Sequence, residues 1–261
     1  MKIALIQSDI AWENASENRK KITSLWAENA QNVDIIILPE MFNTGFTMNV
    51  AANAESFEGE TRKWMDDFAL KNKCFVMGSI IVEEDGQFFN RFIITNGVKF
   101  NTFYDKRHLF RMAQEDLHYT AGEMLLQINI KGWRIRPLIC YDLRFPVWSR
   151  NRYSEAGEAE YDLLVYVANW PERRIQHWDK LLIARAIENQ CFVVGVNRVG
   201  KDGNGIAYTG SSAVLDYMGD YLFHDKSGKE GVFFADLAKD GLKEYREKFP
   251  AWRDSDVFKL F

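Results

Sequence analysis

Cysteine, histidine and proline are all scarce in this chain: 261 residues hold 3 Cys, 4 His and 5 Pro. The cysteines, Cys74, Cys140 and Cys191, form no Cys-x-x-Cys pair, so neither a disulfide framework nor a thiolate zinc site is expected. The histidines, His108, His118, His177 and His224, show no i, i+4 pairing and no cysteine at ligand spacing, which speaks against a metal centre. Gly195 and Gly200 form no nucleotide-binding fingerprint, and Asp202-Gly203-Asn204-Gly205 lacks the distal Glu of a calcium loop; it reads as a hairpin turn. No cofactor is expected. A strong excess of charge is also missing. The net charge of -4 lacks the basic footprint of a nucleic-acid or anionic-membrane binder. No apolar run approaches the roughly 20 residues of a membrane span. The apolar stretch within Met1–Gln7 is too short for a signal peptide and reads as a first strand. The expectation is a reducing, cytoplasmic location.

What is present is ordinary for a globular protein, at 47% hydrophobic and 27% charged residues, except that 14% are aromatic. Such a content fits a thick core, a subunit interface or an aromatic-lined pocket, and composition does not choose among them. Short β-branched runs alternate with segments of helical period. Strands are predicted over 2–9, 35–39, 74–82, 88–95, 98–104, 125–130, 133–139, 161–168 and 191–198, with others near 211–216, 221–224 and 231–235. Helices are predicted over 16–30, 60–71 and 177–189; the first places Ile22, Leu25 and Trp26 on one face. Both βα alternation and hairpins occur, so a mixed sheet, or two packed sheets with helices outside, accounts for the pattern. No linker or repeat interrupts it, and one domain is expected. The tail from about 238 carries Tyr245, Phe249, Trp252, Phe258 and Phe261, so it is expected to pack on the domain or on another subunit.

Three ionisable residues each follow a strand-like run. Pro137-Leu138-Ile139 delivers Cys140 into the polar stretch Tyr141-Asp142-Leu143-Arg144, stopped by Pro146. A thiol there is either a small buried hydrophobe or a nucleophile needing a base or a cation. Glu40 follows Ile35-Ile36-Ile37-Leu38-Pro39 and precedes Met41-Phe42, so its carboxylate is placed in a confined, apolar setting. Desolvation there would suit a general base. Lys106 opens Lys106-Arg107-His108, either a solvated loop or a fixed charge for a developing oxyanion.

The segments Leu38-Pro39-Glu40-Met41-Phe42, Tyr104-Asp105-Lys106-Arg107-His108 and Cys140-Tyr141-Asp142-Leu143-Arg144-Phe145-Pro146 resemble, in order and spacing, the nitrilase superfamily of carbon–nitrogen hydrolases. The likeness runs nearly end to end and is strongest to the bacterial omega-amidase branch, through the strings around Lys106, around Cys140 and at Glu244–Pro250. What the resemblance implies is a four-layer α-β-β-α sandwich that forms a homodimer, with a Glu40-Lys106-Cys140 triad. It also implies a second glutamate at Glu115, where Asp116 and Glu123 are neighbouring alternatives. In that scheme Glu40 takes the Cys140 proton and the thiolate attacks an amide carbonyl. Lys106 and the backbone N–H of Tyr141 hold the oxyanion, and water hydrolyses the thioester. The implied substrates are small dicarboxylate monoamides such as 2-oxoglutaramate and 2-oxosuccinamate. Arg144 is the candidate clamp for the far carboxylate; its rival reading is an ion pair with Asp142, and Arg111 is another cation in reach. Asn169, Trp170, Phe42, Phe110 and Tyr119 are candidate pocket residues. Other amidase, nitrilase or carbamoylase activities share the triad, and a non-catalytic binding protein on the same scaffold is the alternative of a different class.

Overall fold

The structure, a computed structural model, describes residues 1–98, 101–154, 156–256 and 258–260. Along the chain, β1 (Lys2–Gln7) leads to α1 (Ala15–Asn29), and β2 (Ile35–Ile37) to the short α2 (Val50–Asn53) and β3 (Glu55–Ser56). Helix α3 (Glu60–Asn72) precedes the hairpin of β4 (Phe75–Glu84) and β5 (Gln87–Thr95), then β6 (Asn101–Asp105). The second half supplies β7 (Ile128–Ile130), β8 (Trp133–Ile139), the short α4 (Pro146–Ser149), β9 (Leu163–Ala168), α5 (Ile175–Asn189) and β10 (Phe192–Asn197). A small hairpin, β11 (Val199–Lys201) and β12 (Ala207–Thr209), is followed by β13 (Ala213–Leu215), β14 (Tyr221–His224), β15 (Gly231–Asp236) and α6 (Asp240–Lys248).

Two sheets result, one in the order β15-β1-β2-β4-β5-β6 with β3 beside β4, the other β14-β13-β10-β9-β8-β7. The side-chain alternation of the strands builds the layers. On β1, Ile3 and Leu5 enter the core shared by both sheets, while Ala4 and Ile6 join Ile22, Trp26, Met65 and Phe68 of α1 and α3. On β2, Ile35 and Ile37 face the other sheet and Ile36 faces the helices. This is why Ile35-Ile36-Ile37 is continuously apolar: both faces of the strand are covered. Full burial of each such side chain contributes about 1.5–3 kcal/mol. On the far side α5 lays Trp178, Leu182 and Ala186 on the second sheet, where Gly195 makes room; a Cβ there would stand 2.6 Å from Trp178. The outcome is the α-β-β-α sandwich.

The helix over Asp240–Lys248 is not foreseen by periodicity. It docks through Arg246, which donates to Asp162 at 3.0 Å, to the Tyr161 carbonyl at 3.0 Å and to the Gln190 carbonyl at 2.9 Å. Trp252 then stacks on Tyr153, with ring centroids 4.8 Å apart. The strand expected over 98–104 is found as β6, with Lys99 and Phe100 outside the described residues, as is Phe261 of the tail.

Candidate active site

Strand ends from the two sheets meet at one rim. The apolar β8 stops at Ile139, and Cys140 opens a 3-10 turn over Cys140–Arg144 with φ +41°. A non-glycine residue in the left-handed region costs on the order of 1–3 kcal/mol and persists only where its surroundings hold it. The holder is Asp142, fully buried. Its Oδ2 accepts the Ile139 N–H at 3.0 Å and the Tyr104 hydroxyl at 2.7 Å, and its Oδ1 accepts the His108 N–H at 3.0 Å. His108 Nδ1 lies 2.8 Å from the same oxygen. The thiol's turn is thereby latched to the segment following β6.

Glu40, beyond the end of β2, is also fully buried. Its Oε1 accepts from Asn90 Nδ2 at 2.8 Å and from Lys106 Nζ at 2.9 Å; its Oε2 accepts the Asn169 N–H at 2.7 Å. Gly78 on β4 lets this segment pass close, since a Cβ there would lie 2.8 Å from Leu38 Cβ. Lys106 Nζ also donates to both oxygens of Glu115, at 2.9 and 3.0 Å, and Glu115 accepts the Phe110 N–H at 2.5 Å. Burial alone would lower the Lys106 value, but Glu115 and Glu40 outweigh it and hold the ammonium well above its ordinary range. Burial raises the Glu115 carboxyl, with Lys106 opposing and Glu40 adding to the rise. Burial, and then the Glu40 carboxylate, push the Cys140 thiol well above its usual value. At neutral pH the resting group is therefore a thiol, and a proton acceptor must act as the sulfur attacks.

Cys140, Glu40 and Lys106 line a cavity of about 210 Å³ together with Tyr141, Arg144, Asn169 and Trp170. Phe46, Phe110, Arg174, Ile206 and Tyr208 complete much of its wall. A larger recess of about 680 Å³ lies between α6 and residues 156–162, but it is lined by Asp162 and its cations and, among the described residues, by no Cys, Ser or Thr. The chemistry belongs to the smaller cavity.

Glu115 stands behind Lys106 rather than on the cavity wall. Arg144 lies over the Trp170 ring at 4.8 Å, and its Nη2 donates to His177 Nδ1 at 3.0 Å. Asp142 is occupied by other donors, so the Arg144–Asp142 pair is not formed. Arg111 pairs instead with Asp116 at 3.6 Å, outside the cavity. Two expected wall residues are corrected. Met41 takes φ +43°, so the chain reverses after Glu40 and sends Phe42 into the core under α3, 5.8 Å from Trp64. Tyr119 is buried beneath Met41, its hydroxyl donating to the Thr47 carbonyl at 2.6 Å. Asn169 lines the cavity, yet its Nδ2 holds the Glu40 carbonyl at 2.6 Å, leaving Oδ1 buried with no partner among the described residues. Sequence reasoning missed Asn90, which sits in mid-strand and gives no signal. It also missed Arg174, although Pro171-Glu172-Arg173-Arg174 directly follows the strand end at Asn169-Trp170.

A thiol on a strained turn, next to a buried carboxylate–ammonium cluster on an α-β-β-α sandwich, defines a thiol-dependent hydrolase. The chain belongs to the carbon–nitrogen hydrolase family, whose model matches residues 2–247. It is 44% identical over 261 residues to the omega-amidase YafV of Escherichia coli (strain K12), covering 100% of this chain and 99% of that one. It is 31% identical over 255 residues to the 2-oxoglutaramate amidase of Bacillus subtilis (strain 168), covering 97% and 96% respectively. The crystal structure of XC1258 from Xanthomonas campestris, a CN-hydrolase superfamily protein with an arsenic adduct in the active site, superposes with a TM-score of 0.96. The two are 40% identical, over 100% of this chain and 99% of that one.

Proposed function

We propose that the protein is an omega-amidase that hydrolyses the terminal amide of a small 2-oxo dicarboxylate monoamide, such as 2-oxoglutaramate or 2-oxosuccinamate, to the acid and ammonia. The observation that carries this reading is the polarity of the cavity. Cys140 and the Glu40–Lys106 pair line it together with guanidinium groups that have no carboxylate partners among the described residues. At about 210 Å³ it is smaller than the roughly 300–1,000 Å³ of a drug-sized site, which suits a substrate of a few carbons.

In this reading Glu40 takes the Cys140 proton as the sulfur attacks the amide carbon. The Lys106 ammonium and the Tyr141 N–H receive the oxyanion, and Glu115 keeps Lys106 charged and in place. Asn169 Oδ1 accepts an N–H of the substrate amide. Glu40 passes the proton to the departing ammonia and then activates the water that cleaves the thioester. Arg144 holds the far carboxylate, with Trp170 as its platform. The test is ammonia release from 2-oxoglutaramate by wild type beside Cys140→Ala: turnover is expected in the first and none in the second. No turnover by wild type, with turnover of a nitrile or a carbamoyl amino acid, would overturn the substrate assignment.

We further infer a homodimer in the cytoplasm, where a free catalytic thiol stays reduced. Exposed Ile187 lies against the turn at Gly219, next in sequence to exposed Met218, which supports self-association. Among the described residues no helix is long and apolar enough to cross a membrane. Light scattering that gave a monomer mass would remove the dimer.

A further inference from the structure

The cavity's charges are unbalanced. Among the described residues its only lining carboxylate is Glu40, already engaged by Lys106, Asn90 and Asn169, whereas Arg144, Arg173 and Arg174 also line it. Arg174 ends the 3-10 turn Glu172–Arg174 that follows β9, and its guanidinium lies over the Phe110 ring at 5.2 Å. It makes no ion pair among the described residues. Arg144 lies in the same way over Trp170, whose indole N–H donates to the Arg174 carbonyl at 2.8 Å. The Phe110 N–H donates to Glu115, the carboxylate that also grips Lys106, and its ring packs edge-on against Tyr141 with centroids 5.0 Å apart. Burial, then Arg173 and Arg144, lower the Arg174 value from its ordinary range. Two guanidiniums on rigid aromatic supports, with no acid between them, make a receptor awaiting an anion.

We propose that Arg174 is a specificity-determining residue which, with Arg144, receives the 2-oxo acid terminus of the substrate and rejects the corresponding 2-amino acid. This rests on the omega-amidase reading and names the group that sets its substrate class. A 2-oxo acid presents only acceptors, two carboxylate oxygens and the adjacent keto oxygen, and two guanidinium forks present only donors. A 2-amino acid places an ammonium where the keto oxygen would be. That group meets donors of like charge, and among the described residues the cavity offers no free carboxylate to accept it. Discrimination therefore comes from repulsion and an unmatched donor as well as from attraction. Glutamine, which shares the reacting amide, is excluded at its far end.

The experiment compares wild type with Arg174→Gln and Arg174→Lys on 2-oxoglutaramate, L-glutamine and butyramide, using kcat/KM ratios so that losses common to all substrates cancel. In Arg174→Gln the preference for 2-oxoglutaramate over butyramide is expected to fall by roughly tenfold to a hundredfold, mostly through KM. The preference over glutamine falls as well, and Arg174→Lys recovers part of both. Ratios within twofold of wild type overturn the proposal while leaving the omega-amidase reading intact. If wild type is inert towards 2-oxoglutaramate, that reading fails and the receptor is judged by binding alone. The 2-oxoglutarate concentration that half-protects Cys140 from iodoacetamide should then rise about tenfold in Arg174→Gln. An unchanged concentration overturns the receptor.

Discussion

Replacing Lys106 by Met tests the site most directly, because its two consequences differ in kind. In the folded protein Nζ lies 2.9 Å from Glu40 and 2.9 Å from Glu115, and none of the three side chains is more than 1% exposed. Without the ammonium, two buried carboxylates are left with no cation between them. Breaking a buried pair in this way costs about 3–5 kcal/mol. Glu115 can relieve part of that by taking a proton, since burial has already raised its value. Separately, losing one preorganised oxyanion donor costs about 3–4 kcal/mol in the barrier, or roughly 10²–10³ in kcat. The double variant Lys106→Met/Glu115→Gln removes one acid along with the cation and so separates the two. Urea unfolding is expected to show the single variant less stable than wild type by at least about 2 kcal/mol. The double variant should recover more than half of that loss. Ammonia release should stay below about 1% of wild type in both. A double variant above about a tenth of the wild-type kcat would refute the oxyanion role of Lys106. A single variant as stable as wild type would refute the buried-cluster electrostatics.

Two further outcomes follow from particular contacts. Arg144→Lys keeps a charge but loses the planar fork and the stacking on Trp170, so KM for 2-oxoglutaramate is expected to rise about tenfold with kcat little changed; an unchanged KM would remove Arg144 as the clamp. Asp162, paired with Arg134, Lys239 and Arg246, has its carboxyl held down at about 2 against an ordinary 3.8, so its contribution is complete above about pH 4 and fades as the pH falls towards 2. Allowing for screening around the half-exposed Arg134 and Lys239, Asp162→Asn should cost about 1–2 kcal/mol at pH 7. A wild-type-to-variant gap that did not close on acidification would contradict that linkage.

The layered fold was legible because each covered strand writes its burial into continuous apolar runs, as at Ile35-Ile36-Ile37, and each outer helix writes its face into helical spacing, as at Ile22 and Trp26. Their places after strand-like runs drew attention to Cys140, Glu40 and Lys106, but grouping them as a triad came from the resemblance of their three segments to a family and not from spacing. Phe42 and Tyr119 lie off the cavity for two different reasons. For Phe42 it is the positive φ at Met41, which nothing in the spacing of side chains announces; for Tyr119 it is a hydroxyl bond to the Thr47 carbonyl, 72 residues away. Asn90 was invisible because a buried amide in mid-strand looks like any interruption of an apolar run. Helix α6 turns only Leu242 and Tyr245 inward from a mostly charged segment, and it is held as well by Arg246 reaching Asp162, a contact between residues 84 apart that no local window contains.

Glu40 and Lys106 extend from one sheet, Cys140 and Asn169 from the other, and Asp142 joins the two through Tyr104 and His108. The two sheets must therefore dock before these groups stand together. Until the sheets dock, the cysteine is an ordinary thiol with neither partner beside it. Hydrolytic activity then returns only with burial of the inter-sheet core. For this molecule, regain of ammonia release serves as a clock for the docking of two sheets, and a chain stalled short of that point carries no stray amidase activity.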